Sequence, residues 1–117
     1  MRQPSIHGDQ VAFTSEGDIW IGRLSTGEAH RLTSDPGTES YPAFSPDGSQ
    51  IVYHAEYQGE RQAYVINVGG GIPKKLTNVS DFRRPTGWTP DGKEIIFRIL
   101  RSVFFIKIMN WTVKRSS

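Results

Sequence analysis

His7, His30 and His54 are the residues of this chain that acid–base or metal chemistry would draw on first, since imidazole titrates near neutral pH and is the commonest metal ligand. None stands at metal-ligand spacing from another His, Asp or Glu on one element. Each therefore reads as structural or solvated, and His7 is expected at the turn position that Asp47 and Asp91 hold in later repeats. A Gly-x-Ser-x-Gly elbow and a Walker-type loop are both missing from the sequence, so neither serine-nucleophile nor phosphate chemistry has its usual frame. Gly69-Gly70-Gly71 resembles a phosphate cradle only superficially. The residues after it, Ile-Pro-Lys-Lys-Leu-Thr, read as a strand, which leaves no helix N-terminus to hold an anion. Cysteine is absent, which removes thiolates and disulfides. The sequence assigns no catalytic residue, no metal and no cofactor.

One cluster of charge remains. Lys74, Lys75, Arg83 and Arg84 fall close together in sequence and could form a basic patch. A solvated loop is the plainer reading, because four charges without interleaved aromatics make a poor nucleic-acid signal. The wider charge pattern agrees. Residues 1–97 hold nine Lys/Arg against all twelve Asp/Glu, while residues 98–117 hold five Lys/Arg and no acid. The isoelectric point of 9.1 thus comes from the tail. No nucleic-acid partner is expected. The stretch from Ile99 to Trp111 is apolar but carries Arg101, Lys107 and Asn110, and it is too short for a membrane span. The first eight residues hold no apolar signal segment. The expected setting is cytoplasmic, with no membrane partner.

What positions these residues is a repeat. Ser45-Pro46-Asp47-Gly48 returns as Thr89-Pro90-Asp91-Gly92 after 44 residues, and Arg31-Leu32-Thr33 returns as Lys75-Leu76-Thr77 after 44. Ile6-His7-Gly8-Asp9 reads as a diverged first copy. Within the repeat, Trp20 to Thr33 and Tyr64 to Thr77 are both 13 residues, as are Thr33 to Pro46 and Thr77 to Pro90. The segment from the turn glycine to the aromatic varies: 12 residues from Gly8 to Trp20, 16 from Gly48 to Tyr64, and 19 from Gly92 to Trp111. Fixed spacings imply paired elements in register, and the variable one is expected to be a loop.

Turn chemistry supports strands between these landmarks. Proline at the second position presets φ for a type I turn, Ser or Thr caps its start, and glycine supplies positive φ at its end. Pro46, Asp47 and Gly48, and Pro90, Asp91 and Gly92, are therefore structural turn residues joining a first strand to a second. In the second copy the strands fall at 42–45, 50–55, 62–68 and 73–76. In the first, 10–14, 18–24 and 30–32 match its last three. In the third, 86–89, 94–98 and 105–114 match its first three. Val11-Ala12-Phe13, Ile51-Val52-Tyr53 and Ile95-Ile96-Phe97 are continuous apolar runs, as strands buried on both faces require. Recurrent Trp20, Tyr64 and Trp111 are expected to pack between repeats rather than hold a ligand, and Phe44 and Trp88 likewise.

Four short antiparallel strands per repeat of 40–44 residues are the signature of a β-propeller blade. The expected fold is all-β and covers residues 2–117 as a partial propeller, with blade one at about 2–33, blade two at about 42–77 and an incomplete blade three at about 86–117. Counting from Trp111, the third copy would need a residue 124 to finish, so the outer strand of blade three is expected to be missing. About two and three-quarter blades result. The expected partners are a peptide or protein, and either the remainder of a propeller or a second copy through self-association, with Phe105–Lys114 as an open edge.

The repeat spelled by residues 41–53, 63–66 and 74–77 resembles the TolB-like propeller repeat. A narrower likeness covers residues 2 to about 98. Ile-His-Gly-Asp-Gln-Val-Ala-Phe (6–13), Gly-Asp-Ile-Trp (17–20), Arg-Leu-Thr (31–33) and Gly-Trp-Thr-Pro-Asp-Gly-Lys (87–93) resemble the N-terminal propeller region of tricorn-type proteases. That resemblance implies a propeller that guides peptides within a larger serine peptidase, with no catalytic residue in the matched stretch. It gives Lys74, Lys75, Arg83 and Arg84 a use as a peptide-carboxylate site. A TolB-like protein-interaction propeller, and the propeller of another hydrolase such as an amidohydrolase or a prolyl-oligopeptidase relative, are the alternatives. After Phe97-Arg98 the sequence departs from the repeat pattern.

Overall fold

The computed structural model describes residues 2–34, 37–78, 82–99, 102–107 and 113–115, with backbone alone at 2–3, 82–86, 99, 102, 106–107 and 113–115. Among the described residues, twelve strands form three four-stranded antiparallel sheets. The first contains β1 (Arg2–His7), β2 (Gln10–Ser15), β3 (Asp18–Arg23) and β4 (Ala29–Arg31). The second contains β5 (Thr38–Phe44), β6 (Gln50–Tyr57), β7 (Glu60–Asn67) and β8 (Lys74–Lys75). β9 (Phe82–Trp88), β10 (Glu94–Ile99), β11 (Ser102–Lys107) and β12 (Val113–Arg115) make the third. Each sheet is a simple meander in chain order. Successive first strands touch, β1 against β5 and β5 against β9.

Alternation along each second strand builds the core between sheets. Ile51, Tyr53 and Ala55 of β6 join Ala12, Ile19 and Ile21 of the first sheet in one cluster. Val52, from the opposite face of β6, joins Ala63, Val65, Ile95 and Phe97 in the other. The apolar run Ile51-Val52-Tyr53 is therefore continuous because both of its faces are covered, as the sequence predicts.

The register repeats with the sequence. Phe13 pairs with Trp20, Tyr53 with Tyr64 and Phe97 with Phe104. Each pair stacks, with ring centroids 6.4, 6.0 and 5.6 Å apart. Trp20, Tyr64 and Phe104 then pair outward with Arg31, Lys75 and Arg115 on the fourth strands. Leu-Thr has its own task at the end of β4 and β8. The Thr33 hydroxyl accepts the Ile19 amide at 2.9 Å, and that of Thr77 accepts the Ala63 amide at 2.9 Å. Each caps a third-strand N–H where the fourth strand stops pairing.

Three expectations are corrected. The third strand of the last sheet is Ser102–Lys107, not Phe105–Lys114, and its recurrent aromatic is Phe104; Trp111 lies outside the described residues. Phe104 follows Gly92 by 12 residues, the Gly8-to-Trp20 spacing. With the frame so shifted, Val113–Arg115 supplies the fourth strand expected to be missing and covers the edge expected to be open. Second, the variable segment is not a loop. β6 and β7 are eight residues each against six in β2 and β3, and both hairpins turn in two residues. The extra four residues extend the ladder through the pairs Glu56–Arg61 and Tyr57–Glu60. Third, His7 pairs with Gln10, the place of Ser45 opposite Gln50, so the first turn is two residues shorter than its successors.

Candidate functional site

Pro46, Asp47 and Gly48, and Pro90, Asp91 and Gly92, lie between the first and second strands of their sheets, and each turn is held by its own local network. The Gly48 amide donates to the Ser45 carbonyl at 2.9 Å, and Gly92 does the same to Thr89 at 2.9 Å. Both glycines have positive φ, 77° and 74°. Asp47 Oδ1 accepts from Ser45 Oγ (2.8 Å), Ser49 N (2.9 Å) and Ser49 Oγ (2.7 Å). Those bonds, led by the Ser49 hydroxyl and then its amide, bring the Asp47 carboxyl down from 3.8 to about 2. Asp91 Oδ1 accepts from Thr89 Oγ1 (2.6 Å) and Lys93 N (3.0 Å). It is lowered too, first by the Thr89 hydroxyl and then by the Lys93 amide. A carboxylate so satisfied is a poor general base.

Successive turns also rest on one another. His7 Nε2 donates to the Pro46 carbonyl at 3.1 Å. The His7 ring lies over Gly48, and Pro46 in turn lies against Gly92. Ser5 Oγ accepts the Phe44 amide at 3.1 Å, and the Trp88 indole donates to the Ala43 carbonyl at 3.0 Å. Phe44 and Trp88 are therefore inter-sheet packing residues. No three His, Cys, Asp or Glu side chains converge to hold a metal among the described residues.

The basic candidates are distributed differently from a single patch. Lys74 and Lys75 form the exposed fourth strand β8. Lys75 Nζ is paired with Glu60 Oε1, and that hydrogen bond raises its pKa. Arg83 and Arg84 belong to β9, the first strand of the next sheet; their side chains lie outside the described residues. Sheet order thus sends the two pairs to opposite edges, β8 last in its sheet and β9 at the first-strand edge of the next.

One polar cluster was not legible in the sequence. At the far end of β5 from its turn, Ser40 pairs with His54 of β6. Ser40 Oγ lies 3.2 Å from His54 Nδ1. The Tyr41 ring meets the imidazole edge-on at 6.1 Å, and Tyr41 sits at φ 56° in the irregularity between Ser40 and Ala43. Burial, and next the Arg61 charge, lower the His54 pKa below 6.5, against a smaller opposing effect of Glu56. The Ser40 hydroxyl and the His54 ring nitrogen thus satisfy each other in a partly buried setting. A strand-to-strand register shift created this contact, and no local motif announces it.

Face-to-face sheets with repeating turns and stacked cross-strand aromatics define a β-propeller. Residues 1–116 match the family described as the tricorn protease N-terminal β-propeller domain, and the chain belongs to that family. Tricorn protease homolog 1 of Streptomyces coelicolor is 37% identical over 94 residues, covering 80% of this chain and 9% of that protein. The chain therefore spans about a tenth of that relative's length. Among solved structures, TolB from Acinetobacter baumannii matches with a TM-score of 0.78 and 27% identity, over 97% of this chain and 31% of that one. The tricorn protease matches with a TM-score of 0.76 and 22% identity, over 91% and 12% respectively, and so shares the fold. Among the described residues no helix is long and apolar enough to cross a membrane.

Proposed function

We propose that this chain is a non-catalytic part of the propeller of a tricorn-like serine peptidase, acting in the cytoplasm and guiding or binding peptide. One observation supports this most. Four described groups suited to chemistry are engaged in the scaffold, His7 on Pro46, His54 with Ser40, and Asp47 and Asp91 inside their own turns, while His30 lies exposed on β4. Chemistry would then belong to another part of the parent protein, and the surface left to this part is a binding surface. Lys74, Lys75, Arg83 and Arg84 are the proposed contacts for a peptide carboxylate, at two stations rather than one.

The test has two arms. Purified chain incubated with fluorogenic peptides is expected to give no turnover; turnover that persists through purification and is abolished by a serine-directed inhibitor would refute the non-catalytic role. In the second arm, fluorescence anisotropy compares a labelled peptide with a free C-terminus to its amide. Weaker binding by the amide, and by the Lys74→Gln/Lys75→Gln/Arg83→Gln/Arg84→Gln variant, is expected. Equal binding in all cases removes the carboxylate assignment.

The TolB likeness over 97% of the chain favours a second reading, a protein-interaction propeller attached to no peptidase. Under that reading folded partners bind and unstructured peptides do not.

A further inference from the structure

Tyr41 holds a backbone conformation that its place in the sequence opposes. Its φ is 56°, in the left-handed region that strains a residue with a side chain. The residue before a proline, here Pro42, is also steered toward extended backbone. Among the described residues the other side chains at positive φ are Glu16 and Gln58. Each opens a two-residue hairpin turn with a glycine, Gly17 or Gly59, and such turns demand positive φ. Tyr41 lies in no hairpin. It falls inside β5, in the irregularity between Ser40 and Ala43. In the third sheet an irregularity of the first strand falls instead beside Gly87, at φ 146°, where no side chain opposes the conformation.

Register fixes where Tyr41 stands. Ala43 and Ser40 pair with Val52 and His54, so Tyr41 and Pro42 lie opposite Tyr53. Pro85 of β9 pairs with Phe97, which holds the register place of Tyr53. β5 touches β9. Tyr41 is therefore level with Pro85 on the neighbouring first strand, and Arg84 is the next residue along that strand. A bulge of this kind re-aims a side chain. The Tyr41 ring is half-buried and meets the His54 imidazole edge-on at 6.1 Å. His54 is only 9% exposed and lies 3.2 Å from the Ser40 hydroxyl, so the ring rests on a fixed support. One edge-on contact between rings is worth no more than the strained backbone costs. Packing on His54 thus does not by itself account for a tyrosine at this position.

We infer, resting on the peptide-binding reading given above, that Tyr41 recognises the side chain of a bound peptide's C-terminal residue. In that reading Arg83 and Arg84 take the carboxylate. A carboxylate held at β9 leaves the last side chain of the peptide to project toward the neighbouring first strand, where Tyr41 stands level with Pro85. A tyrosine ring offers a large contact with few rotatable bonds to freeze, and it pairs best with another ring or a large apolar group. The ligand class is therefore a peptide with a free C-terminus that ends in an aromatic or large aliphatic residue. A small or charged last residue gains nothing from the ring. The strain at φ 56° is then the cost of presenting a side chain where glycine would be the easier fit.

Fluorescence anisotropy on the full 117-residue chain tests it, with two labelled peptides that keep a free C-terminus, Ala-Ala-Ala-Phe and Ala-Ala-Ala-Ser. The Phe-ended peptide should bind about tenfold more tightly. Tyr41→Gly should abolish that preference, and Tyr41→Phe should keep it. Thermal melts separate recognition from support. Tyr41→Gly relieves the backbone and should melt at or above the wild-type temperature. Gln58→Gly, where φ is 54°, should do the same, and only the first of the two should change the peptide preference. Equal affinity for both peptides, or a preference that survives Tyr41→Gly, overturns the inference and leaves the carboxylate reading standing. Binding of neither peptide defeats that reading and the role of Tyr41 together. A Tyr41→Gly chain that melts well below Gln58→Gly makes the ring a structural support, and that result also overturns the inference.

Discussion

The imidazole of His7 lies directly over Gly48, so close that a Cβ built on Gly48 would meet Nδ1 at 2.4 Å. Glycine is required there twice, by φ of 77° and by the ring. Gly48→Ala is expected to cost about 1–3 kcal/mol from the backbone conformation alone, and more from the clash. Gly27→Ala measures the backbone part separately, because φ is 75° there and nothing lies within 4 Å. Denaturant midpoints should place Gly48→Ala below Gly27→Ala, and adding His7→Ala should recover part of the difference. Equal midpoints for the two alanine variants would show that the rings and turns of adjacent sheets do not press on each other.

Asp47 and Asp91 make the fold acid-sensitive. Both carboxyls are lower in the folded chain than the ordinary 3.8, Asp47 at about 2. A depressed carboxyl contributes stability that is present above its unfolded value and lost as pH falls through its folded one. The Asp47 contribution should therefore fade between about pH 4 and pH 2. Asp47→Asn should flatten the melting profile across that window while lowering stability at pH 7. NMR titration of the Asp47 side chain reads the same quantity directly, and a midpoint near 4 would contradict the hydrogen-bond account.

The turns could be read from sequence because their chemistry is local. Ser45, Pro46, Asp47 and Gly48 are adjacent in the chain, and every bond that sets the turn is made within five residues. Blade edges were less legible. Phe104 and Trp111 both offer an aromatic in an apolar stretch, and only the pairing Phe97–Phe104 selects the first. The Ser40–His54 contact depends on a register shift near Tyr41, which spacing alone does not reveal. The separation of Lys74–Lys75 from Arg83–Arg84 follows from sheet order, since neighbours in sequence across a sheet boundary become last and first strands.

Leu-Thr makes a prediction about strand ends. Thr77 is buried, accepts the Ala63 amide at 2.9 Å and donates to Gln62 Oε1 at 2.5 Å. Thr77→Val keeps the shape but leaves a buried amide and a buried amide oxygen without the hydroxyl. It is expected to cost about 1–3 kcal/mol, the range for orphaned buried polar groups. Thr77→Ser keeps the hydroxyl and should cost less. Chemical denaturation ranks the two, and Val at or above Ser in stability would mean that the hydroxyl caps nothing.

His54 gives the fold a second pH dependence, nearer neutrality. Its ring lies between Ser40, at 3.2 Å from Nδ1, and Tyr41, edge-on at 6.1 Å, and is mostly buried. Burial disfavours the charged ring first, the Arg61 charge adds to this, and Glu56 opposes them. Arg61 and Glu56 are also bonded to each other at 2.7 Å, so each blunts the field of the other and burial decides the direction. A histidine whose folded pKa is depressed binds its proton more readily when unfolded. Its contribution to stability is therefore complete above the ordinary value of 6.5 and is lost as pH falls below it toward the folded value. Thermal melts between pH 7.5 and 5 should show a fall that His54→Gln removes. Gln still offers a polar group to Ser40 yet does not titrate. Arg61→Gln should shift the fall to lower midpoint loss by easing protonation of the folded ring, and Glu56→Gln should deepen it. A wild-type chain whose melting temperature is flat across this interval, with the His54 resonance titrating at 6.5 or above, would place the ring in solvent and not against Ser40 and Tyr41.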